Sequence, residues 1–88
     1  MIFVSLGRFR IRPTKEITAK VARIMQRNSK EGVKNIGFYW TLGRYDAVVI
    51  MEAPDEKAFM KAVMRIADII STETLVAVPR EEAVKLVE

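Results

Sequence analysis

Apolar positions change period several times along this chain, and each change marks an element. Ile2–Phe9 is dense in β-branched and aromatic residues and predicts a first strand. Arg8, Arg10 and Arg12 then alternate with Phe9 and Ile11, which would set an arginine row on one face before Pro13 ends the strand. Across Lys15–Lys30 the apolar residues Ile17, Val21, Ile24 and Met25 follow the spacing of an amphipathic helix, with Thr14 as its N-cap and Gly32 as its stop.

Residues 35–54, NIGFYWTLGRYDAVVIMEAP, return to a strand period on both sides of Gly43-Arg44. A two-residue turn there, with Gly at its first central position, predicts a β-hairpin. It would place Leu42/Tyr45, Trp40/Ala47, Phe38/Val49 and Ile36/Met51 on one wholly apolar face meeting the helices. The other face would carry Thr41/Asp46, Tyr39/Val48, Gly37/Ile50 and Asn35/Glu52. A second helix is expected over 55–69, opened by Asp55 as N-cap or by Pro54 and the acids in the first turn. Its core side is Phe59, Ala62, Val63, Ile66 and Ile70, and its polar stripe is Lys57, Lys61, Arg65 and Asp68. Met60, Met64 and Ala67 widen the apolar arc, as a contact between copies or a seat for the terminal helix would require. A strand over 72–78 and a short helix over 80–87 complete the pattern.

The order strand, helix, strand, strand, helix, strand predicts an α+β ferredoxin-like fold. Such a fold has a four-stranded antiparallel sheet with two helices on one face, here followed by a short C-terminal helix, in one domain over residues 1–88. Its second sheet face would be bare, yet Val48 and Ile50 lie on it. At about 25 cal/mol per Å2 of apolar area, wetting that face forgoes several kcal/mol in a small domain, so a second copy packed sheet to sheet is the expected cover.

Composition narrows the chemistry. There is no cysteine and no histidine, which excludes disulfides, thiolate metal sites, Ser-His or Cys-His triads and His-ligated haem. Carboxylates form no clustered run, so neither a metal nor another cofactor is expected. The net charge of +4 conceals nine basic and two acidic residues within 1–34, against six and nine in the remainder. The basic half lacks interleaved aromatics and winds round a helix, which argues for a solvated face and against nucleic acid. No apolar run is long enough to span a membrane, the start does not read as a signal peptide, and the cytoplasm is the expected compartment.

Residues 37–49, GFYWTLGRYDAVV, followed by EAPD at 52–55 and TETL at 72–75, resemble the GYD-domain family, with Gly43, Tyr45 and Asp46 at the positions behind its name. That family is similar in fold to the dimeric α/β-barrel superfamily, so the resemblance implies a homodimer or higher oligomer without implying a reaction. Ligand-binding candidates are Tyr39, Thr41, Arg44, Tyr45 and Asp46; Val48 and Ile50 are candidates for the dimer face. Asp46 could act as acceptor or base beside a Tyr39 donor, or could simply satisfy turn amides. Tyr45 and Trp40 are expected in the core, and Arg44 at the turn tip suits an acidic ligand. The first functional reading is a small-molecule-binding domain with its pocket between the sheets of a dimer. The alternatives are a cofactor-free enzyme, oxygenase- or isomerase-like, on a small organic acid or aromatic substrate, and a structural or regulatory interaction module.

Overall fold

The computed structural model describes residues 1–87. In chain order these form β1 (Ile2–Phe9), α1 (Lys15–Lys30), β2 (Lys34–Trp40), β3 (Ala47–Glu52), α2 (Glu56–Met64), β4 (Ile70–Ala77) and α3 (Arg80–Ala83), which continues as a 3-10 turn, Val84–Leu86. The four strands make one antiparallel sheet in the order β2-β3-β1-β4, the ferredoxin-like arrangement. Both helix starts follow local chemistry. The Ile17 amide donates to the Thr14 hydroxyl at 3.2 Å and the Ala58 amide to the Asp55 carboxylate at 2.8 Å, each filling an otherwise unpaired first-turn donor. At the end of α1, Gly32 takes φ +93°, and the Gly32 and Val33 amides donate back to Ser29 and Asn28, a Schellman ending open to glycine at that φ.

Helix α2 stops at Met64, short of the expected 69. The next turn is tightened by i to i+3 bonds from the Ile66 amide to Val63 and from the Ile69 amide to Ile66. Strand β4 begins correspondingly early, at Ile70, because the end of β1 pairs with it: Phe9 lies opposite Ile70 and the Arg10 amide donates to the Ile69 carbonyl at 2.7 Å. That pairing also dissolves the expected arginine row. The strand ends at Phe9, and the Arg10 guanidinium turns to the Ala67 carbonyl at 2.7 Å.

Phe3, Ser5 and Gly7 of β1 point at the helices and are buried, and so are Ala47 and Val49 of β3. The centre of the core is Phe3, Val33, Ala53, Phe59 and Ala62, with the rings of Phe3 and Phe59 stacked at 4.2 Å and 7°. Buried Ser5 shares a hydroxyl–hydroxyl hydrogen bond of 2.9 Å with Thr74 across the sheet. Met60 and Met64 remain 60% and 72% exposed, so α3 does not close over them within one chain.

Arg65 ties the end of α2 to the end of α1. It donates to the buried Asn28 side chain at 2.8 Å and to both oxygens of Glu31, which also faces Lys61 and Arg27. Hydrogen bonds from Arg65 and then Lys61 hold the Glu31 carboxyl below its ordinary value of 4.5. A carboxyl whose folded-state value is depressed stabilises fully above that ordinary value, and the contribution is lost as pH falls through the lower folded value. Denaturant titrations near pH 6 and below pH 4 are therefore expected to show a smaller acid loss for Glu31→Gln than for the wild type. Equal losses would remove Glu31 from the acid response.

Candidate functional site

The pairing registers define what the open sheet face offers. Residues directly opposite share a face, so one row across the sheet reads Gly37, Ile50, Val4, Leu75 and the next Tyr39, Val48, Leu6, Glu73. Arg8 and Ser71 follow at the hairpin end. The hairpin register matches the expected one from Trp40/Ala47 through Gly37/Ile50, so Val48 and Ile50 do lie on the open face. A bulge then shifts it: Asn35 meets Met51 and Lys34 meets Glu52. The expected Ile36/Met51 and Asn35/Glu52 pairs are therefore not formed, and Ile36 is 55% exposed instead of facing the core.

The turn is wider than two residues. Residues 41–46 leave the ladder and are closed by the Thr41 amide donating to the Asp46 carbonyl at 2.8 Å and the Thr41 hydroxyl donating to the Tyr45 carbonyl at 2.7 Å. Gly43 sits at φ +107°, in the left-handed region that suits glycine. Leu42 is fully exposed at the loop, not on the helix-facing side.

This wider loop moves Tyr45 out of the core. Its ring comes to the open-face end, under the Arg8 guanidinium at 5.5 Å and the Arg44 guanidinium at 5.7 Å from its centroid. Its hydroxyl donates to Glu73 at 2.7 Å. That hydrogen bond raises the phenol above its ordinary value, helped by partial burial and the Glu73 charge and opposed by Arg44 and Arg8. The result is a depression of about 210 Å3 lined by Leu6, Arg8, Arg44, Tyr45, Ser71, Thr72 and Glu73. Neither Arg8, read only as part of an arginine row, nor Glu73 was a ligand-binding candidate from the sequence. What brings them together is the non-local β1–β4 register, which sets Glu73 opposite Leu6, two residues before Arg8 on the same face.

Trp40 does face the helix side, yet it is 58% exposed and meets Phe9 edge-on at 5.5 Å. It walls a groove of about 290 Å3 against α1, lined also by Phe9, Pro13, Ile17, Val21 and Phe38. The structure does not bring Tyr39 and Asp46 together through a hydrogen bond among the described residues. The Tyr39 ring lies over Gly37, where an added Cβ would meet it at 3.0 Å. Asp46 uses Oδ2 to accept from the Phe9 amide at 2.9 Å, just past the last β1–β3 pair, Gly7/Ala47. Asp46→Ala is therefore expected to cost about 1–3 kcal/mol in denaturant titrations. Asp46→Asn, which keeps an acceptor oxygen there, should cost less; equal and negligible costs would deny the carboxylate this role.

Among the described residues no group of three or more acidic side chains is placed to hold a metal ion, and no helix is long and apolar enough to cross a membrane. A search of curated proteins finds no match to this chain. The model of the GYD domain family matches residues 3–87, a span that takes in all of the sheet but Ile2, α1 and α2, the hairpin and the cluster around Tyr45, and the chain belongs to that family.

Proposed function

We propose that this domain is a homo-oligomeric small-molecule binder whose ligand sits between the open sheet faces of two copies. The observation that carries this reading is the make-up of that face: an apolar field of Val4, Leu6, Val48, Ile50 and Leu75 ending at the polar cluster of Arg8, Arg44, Tyr45 and Glu73. A solvated antiparallel face alternates to polar side chains, whereas this one is apolar across its middle and polar at its two ends, with Lys34 and Glu52 at the end away from the cluster. Apolar walls with a few convergent polar groups are what a small-molecule site needs, and a second sheet laid over the first would supply the missing wall. Apolar cover also suits a small domain, where the helices enclose only one side of the sheet.

Light scattering at micromolar concentration tests the assembly. The expected mass is at least twice the 10.0 kDa of one chain. A monodisperse monomer would overturn the proposal, since one sheet alone leaves the ligand on an open surface.

A further inference from the structure

We propose that the cluster at the end of the open face binds the carboxylate of a small organic acid, with Arg8 and Arg44 as the anion-holding residues. The inference rests on the reading of function above and names the class of its ligand. Two guanidiniums lie within 6 Å of the same Tyr45 ring centroid, and neither has a carboxylate partner within salt-bridge distance among the described residues. The ring is a platform for both, because a cation over an aromatic face is attracted to its negative quadrupole. Held over the ring in this way, the guanidinium N–H groups can still donate to an oxygen ligand.

Glu73, the acid at this site, is held by the Tyr45 hydroxyl at 2.7 Å. That bond occupies one Glu73 oxygen, and Glu73 forms no ion pair with either arginine within salt-bridge distance among the described residues. The three charged side chains sum to one positive charge, which one monoanion neutralises. A doubly charged phosphate would exceed that balance beside Glu73. The neighbouring side chains favour an organic acid further: Leu6 lines the depression, and Val48 lies opposite Leu6 in the same row. The carboxylate end would meet the arginines while the apolar remainder lies along that row.

Isothermal titration calorimetry at low ionic strength, with benzoate as the probe, tests this on the full chain, alongside light scattering of the same samples. Wild type is expected to bind benzoate saturably and to discriminate against uncharged benzamide. Arg8→Gln and Arg44→Gln, both at exposed positions, should each weaken benzoate by about tenfold or more. Glu73→Gln should tighten it, because a like charge beside the bound anion is removed. That opposite sign is an effect a merely structural cluster would not give. Folding of each variant is checked by circular dichroism.

A dimer that binds no benzoate, or binds it equally well in both arginine variants, overturns this inference and leaves the reading of function standing. Binding of inorganic phosphate alone through the same arginines overturns it too. So does dissociation of the dimer by Arg8→Gln or Arg44→Gln with no benzoate bound, since the arginines then serve contacts between copies. A monomer that binds benzoate through Arg8 and Arg44 retains the inference and overturns the dimer reading; a monomer that binds none overturns both.

Discussion

Phe59→Ala is expected to lower the stability of the fold by about 3–5 kcal/mol, read as a shift of the denaturant midpoint at constant slope. Phe59 is buried at the centre of the core, and its ring lies parallel to Phe3 at 4.2 Å, so truncation removes both apolar burial and a wall of the Phe3 site. Total stabilities of small domains run to about 5–15 kcal/mol, so the loss is a large share. Phe59→Leu keeps most of the apolar volume and should lose less, which provides a reading if the alanine variant does not fold. Lys57→Ala, exposed two residues away on the same helix, should stay within about 0.5 kcal/mol of wild type. A cost under about 1 kcal/mol for Phe59→Ala would mean that the helix layer is not anchored through this residue.

Val48→Lys should reduce the assembly to single chains. Val48 lies on the open face between Tyr39 and Leu6, and is only half-buried within one chain. A lysine there can reach solvent in the monomer, but a second sheet laid over it would strip water from its ammonium group among Leu6, Val4 and Ile50. In a two-fold contact the same substitution acts once from each copy. The mass by light scattering should fall to 10.0 kDa while the far-ultraviolet circular dichroism stays native. Ile50→Lys, opposite Val4 and Gly37, should act alike. Variants that retain the wild-type mass would show that the copies meet through another surface, and the exposed Met60 and Met64 of α2 would be the next to examine.

Local chemistry made much of this fold legible. Thr14 and Asp55 cap their helices as their types and positions imply, Gly32 ends α1, and the spacing of Ile17, Val21, Ile24 and Met25 gives the extent of that helix. What escaped depended on partners remote in sequence. The start of β4 at Ile70 follows from pairing with Phe9, some sixty residues earlier, and no local period at 70–71 announces it. The position of Tyr45 turned on the loop: a two-residue turn sends it towards the helices, whereas the wider loop closed by Thr41 sends it to the open face beside Arg8. Asp46 was legible as a turn residue, but its acceptor role toward Phe9 needs the β1–β3 alignment. Likewise the bulge between Asn35 and Gly37 has no mark in the sequence beyond the glycine itself.

That bulge bears on how large an aggregate the sheet can build. A regular edge strand can accept another strand, and two regular edges on one sheet would let copies add indefinitely. Here the β2 edge is broken between Asn35 and Gly37, while β4 pairs without interruption from Ile70 to Ala77. One edge is thus a poor template and the other a good one. Two copies joined through β4 would consume both good edges and present only broken ones outward. Growth in the plane of the sheet would then stop at a pair.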